Sequence, residues 1–259
     1  MKTKKKYRLT NECIIHEGHI LYRIEALKDF GNIKVGTKGG WVESEMNLSH
    51  HGLCWVGDNA KVYGNARILW CATVCDNAEV YLNATVYDFA WIYEDAKIYE
   101  NAKVGGKAKV YGKAKIYGEA VVYEDAIIRD NAKISEYATI FSRATVCGWS
   151  KVYGHARVSD FAFVCDNTKI YGKTSVYGHE QICNNAVVHN NEDYIIFKNW
   201  WSSGRFFTWT RSNNMWKVGC FYGTGEELIK KAYKDNELSG QEYERIVKYV
   251  ESIIKKNKL

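Results

Sequence analysis

A mainly β protein, its chain wound into a triangular coil of short parallel strands, is predicted by three observations. From Asn59 to Asn190 a six-residue phrase repeats twenty-two times without insertion or deletion. Its fourth position is Val or Ile in every copy, from Val62 through Ile116 to Val188. Its second is Ala in eighteen copies, the exceptions being Ser150, Thr168, Thr174 and Glu180. Positions three and five are mostly polar or aromatic, an alternation that marks a short strand with one buried face. A period this strict decides architecture before any other feature.

Positions six and one are turns. Gly64, Gly112, Gly118, Gly154, Gly172 and Gly178 suit a backbone at positive φ, as do Asp and Asn at equivalent places. A turn every six residues leaves no room for hairpins with strands of useful length, so the chain must coil and stack each turn on the last. Three hexapeptides make one coil, and coils about 4.8 Å apart give a prism of roughly seven coils, on the order of 35 Å long. An ordinary sandwich would show irregular spacing.

The inward Val or Ile followed four positions later by a small residue, as in Val62 with Ala66 and Ile98 with Ala102, resembles the hexapeptide-repeat, left-handed parallel β-helix proteins. The left-handed winding is implied by that resemblance alone, since parallel crossovers are otherwise right-handed. The words ALKDFGNIKVGTKGGWVESEMNLS and CWVGDNAKVYGNA resemble a subgroup common in bacterial genomes and prophages, whose members are labelled transferases by fold analogy. This likeness spans about residues 7–190. The expected layout is an N-terminal β cap over residues 1–40, a left-handed β-helix over 41–190, and a small C-terminal α+β module, ββαα, over 191–259.

Within the cap, Tyr7 to Thr10 and Ile20 to Leu27 read as strands, followed by a loop-rich approach to the coil. Val42, Leu48 and Cys54 fall in phase with the inward Ala60, and Val56 with Val62, so the coil is expected to begin near Trp41. A stacked prism leaves an open ladder and an apolar end, which the N-terminal segment would cover.

In the C-terminal part, Tyr194 to Lys198, Phe206 to Arg211 and Met215 to Tyr222 read as strands. Thr224 with Glu227 is a capping box for a helix to about Lys234. Ser239 with Glu242 is a second, opening a helix that ends near Lys256. Tyr243, Ile246, Val247, Val250, Ile253 and Ile254 form its apolar stripe. Trp200, Trp201, Trp209 and Trp216 fit either a core closing the far end of the prism or a recognition surface. This tail resembles one recurring at the ends of phage-encoded proteins.

The opening MKTKKKYRLT is basic but lacks the apolar run of a signal peptide, and no stretch approaches transmembrane length. Eight cysteines without close metal-type pairs fit a reducing compartment, the cytoplasm of a bacterial host, better than a disulfide scaffold. The repeat zone holds 15 basic and 14 acidic residues, so charge alone does not argue for nucleic acid.

For catalysis, the resemblance to left-handed β-helix acyltransferases implies a catalytic His in a subunit cleft and a loop projecting from the coil. The repeat has no such excursion. His155 and His179 fall on different edges, where exposed turn residues are their simplest reading. No zinc-type His spacing, phosphate loop or nucleophile elbow is present, so no metal, cofactor or catalytic residue is assigned and the sequence leans against an enzyme.

Residues eighteen apart stack, so each outward position becomes a ladder. The first face carries Lys61, Lys97, Lys115, Lys133, Lys151 and Lys169 beside Tyr63, Tyr81, Tyr99, Tyr117, Tyr153 and Tyr171. Such rows stabilise a coil by like-on-like contact. They also suit a phosphate-bearing ligand, so Lys97, Tyr99, Lys115, Tyr117, Lys133, Lys151, Tyr153, Lys169 and Tyr171 are the candidate binding residues. The third face points Trp91, Ile127 and Phe163 outward beside Tyr93 and Tyr111. With Trp200 and Trp201 these are the candidate interface of a homo-oligomer, a trimer or dimer. The function expected is that of a non-enzymatic interaction protein, phage or prophage encoded. It would sequester a host macromolecule or an anionic nucleotide signal in counter-defence, with no membrane partner. The alternative is a hexapeptide-repeat acyltransferase using a coenzyme A-linked donor.

Overall fold

The computed structural model describes residues 5–256; Met1 to Lys4, the start of the basic opening, lie outside the described residues. Each hexapeptide forms a two-residue strand from its third and fourth positions, from Lys61–Val62 to Val187–Val188. Every third strand pairs in parallel: Lys97–Ile98 lies between Glu79–Val80 and Lys115–Ile116. Three sheets of eleven, seven and eight strands result, and they are the three faces of a stacked-coil β-solenoid. The inward Ala and Val or Ile of every repeat are 0% exposed. Each buried Val or Ile contributes about 1.5–3 kcal/mol.

Turn chemistry follows from the same register. From Gly64 to Asn184 every sixth-position residue has φ between +56° and +72°, the bulky Trp70 and Leu82 included. At Gly112 an added Cβ would meet the Asp130 backbone of the next coil at 2.6 Å, so glycine there serves close approach as well as φ.

The four departures from inward Ala are also buried, with Thr168, Thr174 and Ser150 at 0% and Glu180 at 6%. Small hydroxyls satisfy themselves on nearby carbonyls, as Thr174 Oγ1 does on Tyr171 O at 2.8 Å. Glu180 sits near the far end and accepts from the Tyr177 N–H at 2.9 Å. There Tyr194 joins the solenoid core, its hydroxyl donating to Ser175 O at 2.7 Å.

The first coil departs from the expected phase. Val42 pairs with Val62, and Leu48 bridges to Ile68, so both occupy fourth positions and not the second position of Ala60. Trp55–Val56 pairs with Thr73–Val74 in the regular register. The step from Leu48 to Val56, the next fourth position, is therefore two residues longer than a repeat, and Gly52, at φ +70°, turns there.

The N-terminal segment is a hairpin, Tyr7–His16 with His19–Ala26, joined by Glu17 at φ +48° and Gly18 at +83°. This is the left-handed pair that a tight hairpin turn requires. Its first strand passes the expected end at Thr10 because an irregularity between Leu9 and Cys13 lets pairing resume. The second strand pairs with Lys38–Val42, which pairs in parallel with Lys61–Val62, so the hairpin prolongs the first face. Tyr7, Ile24, Ala26 and Phe30 join the solenoid core, and the fully buried Lys6 donates to Cys54 O at 2.7 Å.

After the solenoid, Tyr194–Lys198, Phe206–Thr210, Met215–Val218 and Phe221–Gly223 form a four-stranded antiparallel sheet in sequence order. The single strand expected from Met215 to Tyr222 breaks at Gly219, φ +54°, and doubles back. Helix α1, Gly225–Asp235, opens on the Thr224–Glu227 capping box. Helix α2, Glu237–Lys256, starts before Ser239: Asn236 Oδ1 accepts from the Ser239 N–H at 2.8 Å and does the capping. Phe207, Trp209, Trp216, Leu228, Tyr243, Val247 and Val250 make a second core. Among the described residues no helix is long and apolar enough to cross a membrane.

Candidate functional site

On the first face, strand pairing places Lys97, Lys115, Lys133, Lys151 and Lys169 on five successive rungs. Lys97 pairs with Glu79, Nζ to Oε2 at 3.2 Å. Among the described residues the other four make no ion pair.

The tyrosines beside them stack on one another. Tyr63–Tyr81, Tyr81–Tyr99 and Tyr99–Tyr117 have ring centroids 5.1, 5.0 and 5.0 Å apart with planes within 5°. Tyr153–Tyr171 repeats this at 5.0 Å and 3°. Burial raises the Tyr99 hydroxyl to about 12, with Tyr117 and Tyr81 adding to it. Most ring faces are thus spent on neighbouring rings, and the column is interrupted at Ser135.

On the third face Trp91 is 43% exposed, its Nε1 donating to Cys75 Sγ at 3.2 Å. Tyr93 and Tyr111 stack at 4.7 Å, and Ile127 and Phe163 lie half-buried on the same sheet. Trp200 is exposed, whereas Trp201 packs edge-on against Tyr243 at 5.1 Å in the C-terminal core. Cys165 and Cys183, neighbours on this face with Cα atoms 4.8 Å apart, are joined as a disulfide, a pairing the sequence reading did not assign. Cys71 and Cys75 are both half-buried.

The repeat histidines sit on separate edges in ring stacks: His155 on Tyr137 at 4.9 Å, His179 between Phe161 at 4.9 Å and Phe206 at 5.1 Å. A different histidine has the geometry of an oriented base. His19 Nδ1 lies 3.0 Å from Glu43 Oε1, and Glu43 Oε2 accepts from the Gly64 N–H at 2.7 Å. The His19 contact and that N–H hold the Glu43 carboxyl below its ordinary range. The pair borders an open cleft of about 480 Å³, lined also by Ser44, Met46, Asn65 and Arg67. Nearby, His16 Nε2 lies 3.5 Å from Glu79 Oε2, and both His rings pack against Tyr63. The sequence reading missed this cluster. Its signal was Glu17-Gly18 between two alternating runs, a hairpin whose tip carries His16 and His19.

No protein-family model matches the chain. Over 73 residues it is 37% identical to an uncharacterized acetyltransferase, YdcK, of Escherichia coli strain K12. The match covers 25% of this chain and 22% of that protein's length. That likeness and the stacked coils fit a hexapeptide-repeat β-helix protein.

Proposed function

We propose that this protein binds a phosphate-bearing anion on its first face and works by binding. The observation that supports this is the run of lysines from Lys97 to Lys169 on successive paired strands, with a carboxylate partner, among the described residues, only at its Lys97 end. Like charges directly across a ladder are destabilising. Ammonium groups ~5 Å apart in water repel by about 0.8 kcal/mol per neighbouring pair before splaying and salt reduce it. A polyanion laid along the face converts that repulsion into attraction and releases its own counterions.

The test is binding of inorganic polyphosphate, measured by calorimetry at rising salt. The expected result is affinity that falls steeply with salt and is lost in the combined Lys115→Glu, Lys133→Glu, Lys151→Glu protein. No binding by the parent protein at low salt overturns the reading.

A second reading, acyl transfer from a coenzyme A-linked donor, is favoured by the His19–Glu43 pair in its cleft and by the acetyltransferase likeness. With Nδ1 held by a carboxylate, Nε2 is left to accept a proton from an attacking hydroxyl or amine. On this reading His19→Ala slows acetyl-coenzyme A turnover by about two or more orders of magnitude. The lysine reversals leave the rate unchanged.

A further inference from the structure

Tyr117, Ser135 and Tyr153 occupy three successive rungs of the first face: the Tyr117 N–H donates to Ile134 O and the Ser135 N–H to Val152 O, both at 3.0 Å. Where tyrosines are consecutive, one ring fills each rung. At Ser135 the ring is absent, and the floor between the two walls is a serine only 7% exposed.

The walls have not collapsed into the gap. Tyr117 remains stacked on Tyr99 with planes 1° apart, and Tyr153 on Tyr171 with planes 3° apart. Two rungs span about 9.6 Å along the coil. Rings in contact are separated by about 3.5–4 Å, so a doubled spacing leaves room for one more flat ring touching both faces.

We propose that Tyr117 and Tyr153 form a slot for the base of a nucleotide, whose phosphates are held by Lys115, Lys133 and Lys151. This rests on the reading of the first face as an anion-binding surface. Each lysine opens the two-residue strand that ends just before its rung's slot position, at most about 6.6 Å away along extended chain, within reach of phosphate carried on the sugar of an inserted base. The carboxylate nearest in sequence, Glu136, is engaged by the Gly154 N–H at 3.1 Å.

Two other gaps in aromatic columns lack one of these features. At Gly105 the space is taken by Tyr87, whose ring an added Cβ would meet at 2.3 Å. Beside Ser159, between Phe141 and Tyr177, the flanking ladder is Thr139, Arg157 and Ser175, with a single cation. Of these three, the gap at Ser135 has a lysine on every adjoining rung and flanking rings that stay parallel to their outer neighbours. Stacking between aromatic faces is tolerant of base identity, so the class is purine or pyrimidine nucleotide and not one base.

The experiment compares adenosine triphosphate with inorganic tripolyphosphate by calorimetry, two probes that share the phosphate chain and differ in the base. The parent protein is expected to bind the nucleotide at least tenfold more tightly. Ser135→Tyr completes the ring column and fills the slot without disturbing the core. It should abolish the preference while leaving tripolyphosphate affinity unchanged, and Tyr117→Leu should weaken the nucleotide alone. Equal affinity of the two probes for the parent protein, or undiminished nucleotide binding by Ser135→Tyr, overturns the slot and leaves the anion-binding face standing. Failure of the parent protein to bind either probe overturns both.

Discussion

Glu100 reaches one coil up and accepts a hydrogen bond from the backbone N–H of Gly118 at 2.8 Å. Both residues are left-handed turn residues, at φ +58° and +70°. A residue in that conformation turns its N–H out of the strand ladder, and the acid below supplies the missing acceptor. The same bond joins Glu94 to Gly112 at 2.9 Å, Asp160 to Gly178 at 3.0 Å and Asp130 to Gly148 at 3.1 Å, so all three edges of the prism use it. Glu100→Ala is expected to lose about 1–2 kcal/mol, roughly 2–4 °C of Tm per kcal/mol in a chain of this size. Glu100→Gln, which keeps an acceptor, should lose less. Thermal melts of the three proteins decide it, and equal Tm values would show the bond to be idle.

The core prediction is harsher. Ile116 is 0% exposed between Ile98 and Ile134 in its ladder. A carboxylate there has no partner and no water, so Ile116→Asp should abolish cooperative melting. Ile116→Val removes one methylene and should cost about 0.5–1.5 kcal/mol. A soluble Ile116→Asp protein that melts cooperatively would contradict the register.

The solenoid was legible because its period ties each residue to a face through neighbours eighteen positions away, and that distance never changes from Asn59 onward. The first coil was misplaced by two residues because Val42 and Leu48 are apolar and either inward position accepts an apolar residue. Their bulk was the unused clue, since second positions take Ala and fourth positions Val or Ile. The lysine and tyrosine ladders and the like-on-like contact along the tyrosines were readable from the register, whereas the spacing and tilt of each ring pair depend on side-chain rotamers. The hairpin that carries His19 had a sequence signal in Glu17-Gly18, but its partner Glu43 did not, because two strand pairings, hairpin to Lys38–Val42 and that strand to Lys61–Val62, are needed to bring the groups together.

Acid and base should act on the far end of the prism through Glu180. Burial, aided by Asp160, pushes its carboxyl up to about 7 from an ordinary 4.5, against the opposing hydrogen bond from the Tyr177 N–H. The folded state therefore holds this proton more tightly than the unfolded chain does. Below about 4.5 both states are protonated; between 4.5 and 7 the unfolded chain ionises first and stability falls; above 7 the loss is complete. The parent protein should melt lower at pH 8 than at pH 5 by more than Glu180→Gln does, because the amide removes this titration while retaining an acceptor for the Tyr177 N–H. Identical pH dependence in the two proteins would show that Glu180 titrates normally.

The third face offers the last test. Trp91 is 43% exposed, and Phe163 and Ile127 share its sheet across intervening rungs, with Tyr93 and Tyr111 alongside. Water in contact with such a strip is released if a second copy of the chain packs against it, at about 25 cal/mol for each Å² of apolar surface covered. If this strip joins subunits, Trp91→Glu combined with Phe163→Glu places two carboxylates in the contact and should lower the mass seen by light scattering. Both side chains point away from the prism core, so far-ultraviolet circular dichroism should not change. A parent protein that is already monomeric, or an oligomer indifferent to both substitutions, would remove this face as the interface. In the second case Trp200, the most exposed tryptophan at 74%, is the next position to change.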